Sequence, residues 1–169
     1  MGGSVGLKGT DGVAAEAARL GAVRRAGERA AAALKELLPA KDEICVLCAS
    51  GEMGETILEK LGFPHVQVVC RCEGETTADD TIRAARAMAG ADLLLFAGGD
   101  GTARNIYEAL GEKTVAIGIP AGVKIHSPVY AIRPEAAGKL ALRYLEGKCR
   151  RTQRRRSWTS TKRRTATAA

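Results

Sequence analysis

A three-layer α/β domain built on a parallel sheet is the fold this chain predicts, and three observations carry it. Four short apolar runs, 43–49 (EICVLCA), 66–70 (VQVVC), 92–98 (DLLLFAG) and 114–119 (TVAIGI), are too short for helices and read as strands. Their apolarity is nearly continuous rather than alternating, as in strands covered on both faces. Helical stretches separate them, and strand–helix–strand alternation at this spacing gives right-handed crossovers and parallel pairing.

Taken in order, residues 13–20 and 26–38 read as helices, with breaks at Gly21 and Gly27. The stretches 53–62, 77–90 and 102–111 follow, each after a strand. Thr77 and Thr102 stand where N-caps belong, and Gly62, Gly90 and Gly111 stand just past the helix ends. Ile82, Ala85 and Met88 recur three apart, an apolar stripe for packing on a sheet. The last helix spans 134–147, with Pro134 at its first position and Gly147 at its end. No internal repeat interrupts this order, so the expected folded body is 1–147.

The composition narrows the function classes. No apolar run approaches the ~18 residues of a membrane span, and the start lacks the layout of a secretion signal. A cytoplasmic protein without a membrane partner is the expectation. The formal charge of +7 belongs to one end: nine of the 26 basic residues follow Gly147 and no acid does, which leaves 17 basic against 19 acidic side chains before it. The whole-chain charge therefore says nothing about the body's partner. Cys45, Cys48, Cys70, Cys72 and Cys149 are an odd set and read as reduced thiols. Cys45 and Cys48 are spaced like a redox or zinc pair. They lie in a strand-like run, however, where positions three apart face opposite ways.

Chemistry is expected on the loops at the carboxyl ends of the strands. The first such loop is Gly98-Gly99-Asp100-Gly101-Thr102. Adjacent glycines let main-chain N–H groups and the following helix end approach phosphate oxygens. A carboxylate there opposes bare phosphate. Asp100 makes sense if it binds magnesium or accepts a hydroxyl proton. Thr102 is read as a helix cap that also touches phosphate. The pattern is neither GxxxxGK[ST] nor GxGxxG; its plain alternative is a glycine-rich turn. The second loop runs from Ile119 to Pro128, with Lys124 placed to neutralise phosphate and His126 to hydrogen-bond a sugar, phosphate or carboxamide. Its alternative is a capped turn, with Ser127 as N-cap and Pro128 at N1. A third candidate is the glycine-rich start, where Gly2, Gly3, Lys8 and Asp11 could wrap a phosphate or ribose; flexible termini share that composition.

GGSVGLKGTDG (2–12), GGDGTARNI (98–106) and IPAGVKIHSPVYA (119–131) resemble the ATP-dependent NAD kinase family. Within it they resemble the branch described as predicted polyphosphate- or ATP-dependent NAD kinases, which includes acetoin-catabolism X-type proteins. GGDGT alone is shared with diacylglycerol and sphingosine kinases. The resemblance implies an NAD kinase/diacylglycerol kinase-like N-terminal domain. It also implies transfer of a phosphoryl group from ATP or polyphosphate to the 2′-hydroxyl of NAD's adenosine ribose, with magnesium and a homo-oligomeric assembly. Asp100 takes the catalytic, metal-linked role. Gly98, Gly99, Gly101 and Thr102 bind phosphate, with Gly2, Gly3, Lys8, Asp11, Asn105, Lys124 and His126 as further nucleotide contacts. Three departures stand out. The sequence begins inside a loop that family members precede with an Asn-Pro-containing strand and turn, and Asn105 stands where Asp is common. The family's β-rich second domain, which supplies much of the dinucleotide pocket, is expected to be absent. The chain alone is thus expected to be weakly active or inactive.

Residues 150–169 are basic and nearly devoid of apolar side chains, the composition of a disordered arm. A nucleic-acid-binding arm on a nucleotide-binding remnant is one reading. A reading-frame shift in a GC-rich gene is the one preferred. Codons compatible with 151–169 give DAEAEVMDIDEEAYRDGR from the third base, an acidic stretch that resembles the family's continuation. A GGDGT-type lipid or sugar kinase remains the alternative enzyme.

Overall fold

The computed structural model describes residues 19–21, 25–122 and 125–147. Five helices and four strands alternate within them: α1 (Ala26–Lys35), β1 (Val46–Ala49), α2 (Glu55–Leu61), β2 (Val66–Cys70), α3 (Ala78–Ala87), β3 (Leu94–Gly98), α4 (Asp100–Leu110), β4 (Ala116–Pro120) and α5 (Pro134–Leu145). Each expected strand is present: β2 has its expected bounds, whereas β1, β3 and β4 start two or three residues later because the flanking Glu, Asp and Thr residues lie outside the ladders. No described helix is long and apolar enough to cross a membrane. The predicted helix at 13–20 falls almost wholly outside the described residues, as do Cys149 and the basic tail.

All strand pairing is parallel, but the ladders form two pairs, β1 with β2 and β3 with β4. No ladder joins the two pairs among the described residues, but both contribute to one apolar cluster. Cys48, Ile117 and Ile119 are buried in one cluster, with Val46, Val68, Leu95 and Ala97 against it. Helices α1, α2 and α5 cover that face, supplying Ala33, Leu58, Ala137 and Ala141. Helices α3 and α4 cover the opposite face, where Ala85, Leu94, Phe96, Ile106 and Leu110 are buried together. Alternate residues of β3 thus serve opposite clusters, as period-two side chains must. In β2 the register skips Val69 opposite Cys48 and Ala49. That bulge turns Cys70 away from Val66 and Val68 to the α3 side, beside Ala49 and Ala84.

The helix ends show which local signals held. Thr77 caps α3: its hydroxyl accepts from Asp80 N–H at 3.4 Å, and the Asp80 carboxylate accepts the Thr77 N–H at 2.9 Å. Gly62 and Gly111 end α2 and α4 at positive φ, and Gly147 follows α5 likewise. Gly90 does not, because α3 stops at Ala87 and Met88 takes the cap. Nor does Gly27 break a helix, since α1 starts one residue before it. Thr77→Ala should cost about 1 kcal/mol of stability by removing the cap; denaturant melts of the two chains measure it.

The cysteines sit as the strand reading requires. Cys45 is exposed just before β1, and Cys48 is buried within it. Burial pushes the Cys48 thiol above its ordinary pKa, with Glu55 and Glu59 adding to the effect. No cluster of three or more His, Cys, Asp or Glu suited to a metal occurs among the described residues.

Candidate phosphate site at the strand ends

Two loops meet at the carboxyl ends of β3 and β4. Gly98 closes β3, Gly99 is the N-cap of α4 in extended conformation, and Asp100 begins the helix. The helix therefore starts two residues earlier than the sequence suggests, and Thr102 is not its cap. The Thr102 side chain instead lies over Gly98, where any Cβ would collide with it. That contact explains why β3 must end in glycine. It leaves Thr102 inside the first turn of α4, where free N–H groups gather.

The β4 loop holds this turn from the other side. The Gly98 carbonyl accepts from Ala121 N–H at 2.9 Å and from Gly122 N–H at 3.2 Å. The Gly99 carbonyl accepts from Ala103 N–H at 3.1 Å and from the Tyr130 hydroxyl at 2.5 Å. In return, the Asp100 carboxylate accepts from His126 N–H at 3.1 Å and Ser127 N–H at 3.1 Å. Side chain and main chain thus tie each loop to the other.

The electrostatics follow from those bonds. Main-chain donation from Ser127, then His126, holds the Asp100 carboxyl below its ordinary pKa, and Arg104 one turn along α4 acts in the same direction. Burial, with the nearby Asp100 charge, pushes the Tyr130 phenol well above its ordinary value, so it remains a proton donor. A carboxylate offers about four lone-pair sites, so the bonds to 126 and 127 leave acceptor capacity. The residue itself is only partly covered.

Of the residues singled out in the sequence, Gly98, Gly99, Asp100, Gly101, Thr102, Asn105 and His126 come together here. All but His126 line one open cleft, with Arg104 and Gly122. His126 is exposed beside it and meets Asp100 through its main chain, not its imidazole. The stretch Ser127–Tyr130 is a turn, closed by Tyr130 N–H donating to the Ser127 carbonyl at 3.5 Å. Gly2, Gly3, Lys8, Asp11 and Lys124 lie outside the described residues. Arg104 and Tyr130 were missed. Tyr130 had a signal in Gly118, a glycine inside an otherwise apolar strand, which marks close approach of another group. Its Cβ position is taken by the Tyr130 ring.

The model of the ATP-NAD kinase N-terminal domain matches residues 12–149. No curated protein and no solved structure matches the chain. The match covers most of the sequence and encloses both loops of the site, so the chain belongs to the ATP-NAD kinase family through its N-terminal domain.

Proposed function

We propose that this domain binds the phosphates of ATP or polyphosphate at the β3–α4 turn and supports phosphoryl transfer to the 2′-hydroxyl of NAD's adenosine ribose. One observation carries the reading: a double-glycine turn at a strand end, facing a helix start, with a single carboxylate fixed beside it. The first-turn N–H groups and the positive end of the α4 dipole favour phosphate oxygens. Arg104, on the same cleft wall, adds a cation.

The carboxylate suits a cation carried in on the donor. Magnesium is usually held by one or two carboxylates plus substrate phosphates and water, not by an all-protein cage. Asp100 offers one partly covered carboxylate with remaining acceptor capacity, and no second acid need join it. When bound, the metal supplies neutralisation of phosphate charge. Asp100 orients the acceptor hydroxyl and takes its proton as transfer completes. Gly98 and Gly99 let the main chain come close, and His126 and Ser127 hold the carboxylate in one orientation.

The test is incubation of the full chain with NAD, magnesium and either ATP or polyphosphate, with NADP read by a specific dehydrogenase. Slow NADP formation, dependent on donor and metal, is the expected result. Phosphorylation of diacylglycerol, a sphingoid base or a sugar phosphate, with no NADP, would replace this reading by the lipid- or sugar-kinase one.

A further inference from the structure

We infer that Tyr130 is a positioning residue for the donor's phosphates: its hydroxyl fixes the Gly99–Asp100 peptide so that the Asp100 N–H faces the phosphate site. This rests on the phosphoryl-transfer reading above, and it concerns how the turn is kept in its binding shape.

Two adjacent glycines rotate more freely than any other pair, so a Gly-Gly turn has no intrinsic preference for aiming its amides at an anion. Something outside the turn must choose. Here the Gly98 carbonyl is held from the β4 side by Ala121 and Gly122 N–H, and the Gly99 carbonyl is held twice, by Ala103 N–H of α4 at 3.1 Å and from the β4 side by the Tyr130 hydroxyl at 2.5 Å. A trans peptide is planar, with its N–H opposite its C=O. Holding the Gly98 carbonyl therefore aims the Gly99 N–H the other way, and holding the Gly99 carbonyl does the same for the Asp100 N–H. Tyr130 is the one side chain in this arrangement.

The phenol is itself rigidly placed. The main chain on either side of it is bonded to β4, Gly118 N–H to Val129 O at 2.9 Å and Ala131 N–H to Gly118 O at 3.0 Å. The ring fills the space over Gly118 and meets Phe96 edge-on, with centroids 5.5 Å apart and planes at 66°. Those contacts need only a benzene ring. Packing alone would be served by phenylalanine, and the hydroxyl is what tyrosine adds.

Tyr130→Phe in the full chain keeps the ring and deletes the donor. MgATP binding is measured by calorimetric titration, and stability by thermal melting. The expected result is a Kd for MgATP raised about 5–10-fold, the size of one lost hydrogen bond, with Tm within about 2 °C of the parent. Phe96→Leu is the packing control, expected to lower Tm while leaving Kd unchanged. Unchanged MgATP affinity in Tyr130→Phe overturns the inference alone. So does an equal affinity loss in Phe96→Leu, or a Tyr130→Phe chain without a cooperative melt, because the effect would then be structural. A parent chain that binds no MgATP removes the phosphoryl-transfer reading and this inference with it.

Discussion

Asp100→Ala should lower the rate of NADP formation about 10²–10⁴-fold, the usual contribution of a positioned proton-transfer or charge-handling group. The cooperative melt should survive, because the side chain lies at the surface of the cleft and no core residue packs on it. Asp100→Asn separates the charge from the shape. Its amide oxygen can still accept one of the N–H groups of His126 and Ser127, while its NH2 faces the other. A comparable rate loss in the Asn variant assigns the effect to the charge. A rate within threefold of the parent in either variant would remove Asp100 from the chemistry.

The pH dependence has a definite sign. The Asp100 carboxyl is bonded in its charged form and titrates below its ordinary value of about 3.9 in the fold. Its contribution is therefore complete above that value and is lost only as pH falls through the lower folded pKa. Activity between pH 5 and 9 should show no inflection from this group. A depressed pKa also makes Asp100 a weak base at rest. It suits a reaction in which positioning and charge neutralisation matter more than early proton removal, as in loose phosphoryl transfer.

Gly138→Ala should destabilise the domain by about 1–3 kcal/mol, although alanine is the better helix former. Helices α1 and α5 approach through small residues, with Ala33, Ala137 and Ala141 all fully buried. A Cβ on Gly138 would overlap the Ala33 carbonyl and come within 2.8 Å of the Glu36 Cβ. The obstacle is backbone, which cannot rotate aside. The Lys139–Glu36 pair at the rim, 4.0 Å apart with the lysine exposed and the glutamate partly covered, contributes little. Gly27→Ala on α1 is the counterpart. Its Cβ would meet only Ile57 at 4.0 Å, so it should stabilise by about 0.5–1 kcal/mol through lost chain entropy. Urea melts of the two variants should move in opposite directions; a shift of the same sign would contradict the close helix contact.

What the sequence determined by itself is whatever depends on neighbours a few residues apart. The strand cores, the Thr77 cap, Pro134 at the start of α5 and the glycine ends of α2 and α4 follow from local sterics and apolar spacing, and GGDGT at the end of β3 pointed to the candidate site. What only the tertiary structure decided depends on groups far apart in the chain. The Asp100 carboxylate is spent partly on the amides of 126 and 127, Thr102 leans on Gly98 instead of capping α4, and the two strand pairs share an apolar cluster without a ladder between them. Tyr130 reaches the Gly99 carbonyl because Gly118 leaves room for its ring, thirty-one residues from the carbonyl it binds. Periodicity sees one element at a time. Hydrogen bonds between loops are chosen only when the sheet has brought those loops together.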